Sequence, residues 1–271
     1  MLRLLFFTII ICTSILNANA QESVRLRIEY TNYCDITSIS KDTYRMTVDV
    51  GDTTAIFYNQ SQREKDKGLQ GITPNSPEYY AKRKELKEKY GSPTPIQCLT
   101  GIPSSDNYTM LDKINDAMFQ YVAEIPSIEW QISDSTRIIC EYTCHQAIGT
   151  LYGRTWTVWY AEDIPVSYGP YLLHGLPGMI LAASDSEGNF RFEAESIMRP
   201  TDNAVITLCR QNDAHKCSRE KYHKMRKEND ELSCAELLKR ITGGGQWVVK
   251  DANGRDVSND NLPQRYYLDK E

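Results

Sequence analysis

Residues 142–183 read YTCHQAIGTLYGRTWTVWYAEDIPVSYGPYLLHGLPGMILAA. Thr143–Leu151 and Thr155–Tyr160 are strand-like segments joined at Gly153, and their apolar and polar side chains fall to opposite faces as in a half-buried sheet. Ile164-Pro165 and Gly169-Pro170 then impose an extended, hydrogen-bond-poor loop. Proline lacks an N–H and drives the residue before it out of the helical region. In Leu176-Pro177-Gly178-Met179 the proline suits position i+1 of a type II turn. The glycine suits i+2, where φ is positive. Gly175 before them permits a close backbone approach. Met179–Ala183 and Phe190–Ile197 flank Asp185-Ser186-Glu187-Gly188-Asn189, which has the chemistry of a hairpin loop.

The same alternation runs outward. Residues 23–30 and Tyr44–Val50 alternate, and Gly51-Asp52 turns the chain into Thr54–Tyr58. Residues 60–100 read as a helical insert, with Ser76 as N-cap, Pro77 at the first helical position and Gly91 at the exit. Tyr79, Leu86 and Tyr90 share one face of that helix. Short apolar segments return from Tyr108 to Trp130. Ile128–Ile132 and Thr136–Cys140 read as two strands around Ser133-Asp134-Ser135. Residues 213–241 are charged and helical in tendency, and Gly243-Gly244-Gly245 ends them. Gln246–Lys250 reads as a short strand before an Asn253-Gly254 turn. The fold class is therefore mainly β (α+β), an antiparallel sheet with two short charged helical excursions. No repeat divides residues 21–271, which read as a single domain.

The first 20 residues read as an export signal: Arg3, an apolar run from Leu4 to Ile11, and Ala18-Asn19-Ala20 as the cleavage site, so that the mature chain begins at Gln21. The run is shorter than the roughly 20 residues a membrane helix needs, and no later stretch is apolar for long enough. The expected location is the periplasm, the outer-membrane periphery or the exterior. The formal net charge is −5, and loss of Arg3 makes it more negative. A nucleic-acid partner, which would call for a basic footprint, is not expected. Of eight cysteines Cys12 leaves with the signal; Cys34, Cys98, Cys140, Cys144, Cys209, Cys217 and Cys234 remain. Export makes disulfides an expectation, and the odd count leaves at least one thiol over.

Taken in order and spacing, Tyr142, Cys144 and Ala147, then Gly153-Arg154, Trp159-Tyr160, Ile164-Pro165, Gly169-Pro170 and Gly175-Leu176-Pro177-Gly178-Met179-Ile180 resemble the GLPGLI family of exported Gram-negative proteins. The likeness extends more weakly through Asp52–Tyr58 and the Trp130 region. Met179 stands where the family name has Leu, a volume-conserving exchange. The resemblance implies an open antiparallel half-barrel similar to envelope carriers of lipid or lipoprotein, and no defined activity. It casts Tyr142, Cys144, Gly153, Arg154, Pro165, Gly169, Pro170, Gly175, Leu176, Pro177 and Gly178 as the structural motif.

Two readings of the motif stand. In one it is a rigid corner closing a sheet edge over an aromatic core. In the other Trp156, Trp159, Tyr160, Tyr171 and His174 line a mouth for an apolar or peptide ligand, with Tyr168 close by. The nucleophile elbow, the His-Glu-x-x-His zinc helix, phosphate-binding glycine loops and Cys-x-x-Cys are missing. Cys144 and His145 are adjacent, so on a strand they point to opposite faces. Cys209, His215, Cys217 and His223 lack the short ligand pairs of structural zinc sites. Asp163 and Asp185 read as turn residues. No cofactor, metal or catalytic residue is assigned. The expected function is a non-catalytic binding or assembly factor, with an outer-membrane transporter or envelope protein as partner. The alternative is a thiol- or metal-dependent envelope enzyme using Cys144 or the 209–223 cluster.

Overall fold

Ala55-Ile56-Phe57-Tyr58 is buried at every position, so this stretch must be covered on both faces. A computed structural model shows how; it describes residues 22–269 apart from 38–39, 74–75, 116, 201–202, 252 and 261–266. The export signal lies outside the described residues. Among them the strands are β1 (Leu26–Thr37), β2 (Ser40–Val50), β3 (Ala55–Asn59), β4 (Gln97–Thr100), β5 (Asn107–Ile114), β6 (Ala117–Glu124), β7 (Gln131–Ile139), β8 (Tyr142–Leu151), β9 (Arg154–Ala161), β10 (Met179–Asp185), β11 (Phe190–Met198) and β12 (His215–Lys216). They form one sheet in the order β12-β6-β5-β4-β3-β2-β1-β11-β10-β9-β8-β7. All pairings are antiparallel except the short one between β12 and β6. β7 and β12 are left as edges, so the sheet is not closed.

It is nevertheless strongly curled. Tyr108 on β5 and Tyr152 at the β8–β9 turn place their hydroxyls 3.1 Å apart. Seven strand-to-strand steps separate β5 from β9, which in a flat sheet would be about 33 Å. The inner face holds the main core, with Ile28, Met46, Val48, Phe57, Met110, Trp156, Val158 and Phe192. On the outer face a smaller core gathers Ile56, Tyr58, Leu99 and Leu111 under Ile206 and Leu208. β3 to β5 are thus sandwiched between the two.

The helical insert joins the neighbouring strands β3 and β4. It contains two helices, α1 (Gln60–Leu69), capped by the Asn59 side chain, and α2 (Pro77–Tyr90). α2 starts and stops where the sequence predicts: Ser76 Oγ accepts the Tyr79 N–H at 3.0 Å, and Gly91 exits at φ 70°. Residues 97–100, assigned to the insert, are instead β4. The charged region after residue 213 forms α3 (Arg219–Asp230) and α4 (Cys234–Thr242). The break falls where Ser233 starts a new capping box with Glu236.

Two strand assignments need correction. The segments 128–132 and 136–140 are not separate strands around a turn. They belong largely to β7, whose register shifts between Ile132 and Thr136, so that Ser133–Ser135 bulge out of the ladder. Residues 246–250 form no strand; only a bridge from Lys250 to Asp256 is made. The expected disulfides are not formed: none of the seven described cysteines is in a disulfide. Strand position explains part of this, because Cys34 on β1 and Cys98 on β4 are kept apart by β2 and β3. No described helix is long and apolar enough to cross a membrane.

Candidate functional site

The loop between β9 and β10, residues 162–178, carries the Gly-Pro-rich motif and lies across the inner face of the sheet. Its Leu172, Leu173 and Leu176 are buried in the main core. Tyr168 Oη donates to the Thr53 carbonyl at 3.1 Å, and the Tyr171 ring packs edge-on against Phe57 at 6.4 Å. The loop thus reaches from β9 to the far side of the curl. It is tied down by Met179 N–H to Ile164 O and Ile180 N–H to Tyr168 O, both at 2.9 Å. Trp130 Nε1 donates to His174 O, and Gly175 N–H to Ser167 Oγ.

The two glycines of the corner exchange their expected roles. Gly175 has the left-handed backbone, with φ 91°, and a β-carbon there would meet the Trp130 indole only at an ordinary contact distance of 3.5 Å. Gly178 does not have positive φ; it is the close approach, where any β-carbon would collide with the Ala161 carbonyl. Tyr171 also has positive φ, 59°, although it is a bulky buried residue. Such a conformation persists only when its surroundings over-determine it.

The aromatic residues assigned to a ligand mouth are dispersed. Trp156 and Tyr160 are buried in the inner core, Trp156 beside Phe192 and Tyr160 beside His145. Trp159 projects to the outer face, where the Arg137 guanidinium stacks on it at 4.7 Å. His174 borders a small void of about 30 Å³ and donates from Nδ1 to Leu172 O. Of the five, Tyr171 alone borders a sizeable hollow.

That hollow lies on the inner face and has a volume of about 490 Å³, within the usual range of small-molecule sites. Met46, Phe57, Met110, Tyr121, Tyr171 and Phe190 give it an apolar wall. Polar groups collect toward α3: Asn32, Asp112, Arg226, Asp230 and Asp269. The Asn32 amide oxygen is buried with no hydrogen-bond partner among the described residues. Asp112 accepts from Tyr222 Oη at 2.7 Å, and burial pushes its carboxyl above the usual range. Asn32 sits on β1 facing inward, and Asp112 interrupts the apolar face of β5. A polar residue at an inward strand position was the sequence signal for this site, but it becomes visible only once the faces are known.

Arg154, assigned to the structural motif, is 3% exposed. Its Nη1 pairs with Asp185 at 2.5 Å, and its Nε donates to the Tyr267 carbonyl at 2.7 Å. Asp185 is the expected turn residue, accepting from Phe190 N–H, and is this buried partner too. Cys144 and His145 diverge as expected, one opposite Arg137 and the other opposite Tyr160. Burial pushes the Cys144 thiol up to about 11, away from the thiolate that nucleophilic chemistry needs. Cys209, His215, Cys217 and His223 do not assemble, and no three His, Cys, Asp or Glu among the described residues are placed to hold a metal.

On the outer face a second cavity, of about 1010 Å³, separates α1 from residues 203–213. Its buried charges satisfy one another. Arg27 clasps Asp49 through two bonds of 2.6 and 2.9 Å, Tyr58 Oη donates to Asp49, and Arg63 stacks on Tyr58 while donating to Thr207 O. The network fastens α1 and the returning chain to the sheet.

Residues 152–182, the part of the chain with the Gly-Pro corner, match a family described as "Protein of unknown function (Porph_ging)". No curated protein matches the sequence. Two solved structures of PNGF-II, in the C2 and P21 space groups, resemble the fold at TM-scores of 0.52 and 0.53 and identities of 14% and 15%. They cover 78% and 86% of this chain but only 34% and 39% of their own, so the chain spans well under half their length. A DUF1329 family protein from Desulfovibrio piger aligns over 67% of this chain and 88% of its own at 7% identity, with a TM-score of 0.20. At these identities the PNGF-II likeness is one of fold.

Proposed function

We propose that this chain is an exported cell-envelope protein of the GLPGLI type that holds an apolar ligand, or the apolar part of a peptide, in its inner hollow without transforming it. The observation that carries this reading is the hollow of about 490 Å³ walled by Met46, Phe57, Met110, Tyr121, Tyr171 and Phe190. Aromatic and thioether side chains give large apolar contact with adaptable shape. The Gly-Pro corner supports the same reading, because it positions Tyr171 at the edge of this space. The corner is a wall of the site, and the dispersed Trp156, Trp159 and Tyr160 brace the sheet behind it.

The test uses the fluorescent apolar probe N-phenyl-1-naphthylamine with the full chain. Saturable enhancement is expected, and Met110→Trp, which fills the hollow, should abolish most of it while the melting temperature moves little. Unchanged enhancement in a folded Met110→Trp protein would rule the hollow out as the binding site. Native mass spectrometry of protein purified from envelopes should show a bound apolar species, and reproducible emptiness would weigh against the proposal.

A further inference from the structure

α3 turns three basic side chains toward one carboxylate. Arg219, His223 and Arg226 are spaced four and three residues apart, which places them on one helix face. All three reach Asp269: Arg226 Nη2 at 2.7 Å, His223 Nε2 at 3.3 Å and Arg219 Nη2 at 3.7 Å. Asp269 is only 4% exposed, although it belongs to a short irregular segment, Tyr267–Asp269. Around it the Tyr267 carbonyl accepts from Arg154, the Tyr267 phenol donates to Asp230, and Arg226 stacks on the Tyr267 ring at 3.9 Å. Arg226, Tyr267 and Asp269 all border the hollow.

A buried carboxylate held by two guanidiniums and an imidazole is the geometry by which proteins capture anions. Here the captured anion comes from the chain itself, and it sits where the apolar wall gives way to polar groups. We propose that this is an anion seat at the mouth of the hollow, occupied by Asp269 in the unliganded protein, and that the ligand is an amphiphile with one carboxylate. Its acyl chain lies against Met46, Phe57 and Met110. Its carboxylate takes the place of Asp269 on Arg226 and His223, and Tyr267–Asp269 moves aside. One carboxylate replaces another, so the charge balance with Arg219, Arg226, Asp112 and Asp230 is kept. This inference rests on the reading of the hollow as the ligand site.

Calorimetric titration of the full chain with decanoate, decylammonium and 1-decanol separates the parts. Asp269→Asn, which removes the competing charge, should tighten decanoate about tenfold if the closed segment outweighs the open one by that ratio. It should not tighten decylammonium. Tyr267→Ala keeps the carboxylate but loosens the segment, and should give a smaller gain in the same direction. Adding Arg226→Gln to Asp269→Asn should cancel the gain. Circular dichroism and melting curves establish that each variant is folded. Decanoate affinity that stays level or falls in both Asp269→Asn and Tyr267→Ala overturns the anion seat, as does an equal gain for all three probes; in either case the hollow itself stands. Failure of all three probes to bind any variant overturns the hollow and the seat together.

Discussion

Gly175 and Gly178 stand three residues apart and answer to different forces. At Gly175 the backbone is left-handed at φ 91° with room for a β-carbon, so Gly175→Ala carries conformational strain of about 1–2 kcal/mol. At Gly178 the obstacle is a peptide carbonyl, which cannot rotate away as a side chain would. Gly178→Ala should therefore be the worse substitution, costing more than the roughly 1–3 kcal/mol typical of overpacking. Urea denaturation of the two variants ranks them, and a larger loss at Gly175 would contradict the assignment. Arg154 poses a similar test. It and Asp185 have side chains 2% and 1% exposed, and removing one partner of a buried pair costs about 3–5 kcal/mol. Arg154→Met is expected to lose that much in the same assay; a loss below about 1 kcal/mol would show that the pair is solvated. From the sequence, the turn chemistry of Gly175 and Gly178 was legible, and Arg154 entered the motif only through the resemblance. Which contact each one makes was not legible, because the partners Ala161 and Asp185 are set by the fold of the corner and the β10–β11 turn.

At the level of elements, local signals were followed closely and tertiary ones were not. Ser76, Pro77 and Gly91 fix α2 through bonds within a few residues of themselves. β7 departs from the prediction because Ser133-Asp134-Ser135 has turn chemistry but the residues before and after it pair with the same strand, β8, and the ladder absorbs it as a bulge. Gln97–Thr100 was invisible as β4 because a fully buried strand shows no alternation. The expected aromatic mouth dispersed for a related reason: Trp156 and Trp159 lie on one strand, β9, three positions apart, and therefore on opposite faces. The packing of α3 on β5 also has a pH signature. Burial raises the Asp112 carboxyl under Tyr222. A carboxyl whose folded pKa exceeds its unfolded value, near 4, favours the native state at low pH and loses that contribution as pH rises through the folded value. Asp112→Asn cannot ionise and keeps an acceptor for Tyr222. Its stability relative to the parent should grow between pH 4.5 and pH 8, read from denaturant midpoints at each pH. A difference that stays constant would show that the carboxyl is not held up by burial.

For the whole molecule, curvature is the property that the sequence did not disclose through its alternation; the resemblance implied it. Curl is a sum of small twists over many strands, and its clearest mark is the contact of Tyr108 with Tyr152 across the interior. A double-mutant cycle of Tyr108→Phe and Tyr152→Phe should give a coupling of about 1 kcal/mol. Zero coupling would mean that the two limbs of the sheet do not meet.

One limb ends on β7, whose outer rim has no strand beside it among the described residues and shows Ile132 and Ile138 59% and 76% exposed. A straight rim of that kind would template its own copies into fibres. The kink at Ser133–Ser135 spoils the repeat of N–H and C=O groups that a newcomer would need. Those three residues, which look like a flaw in the ladder, thus interrupt the template that rim-to-rim pairing would use.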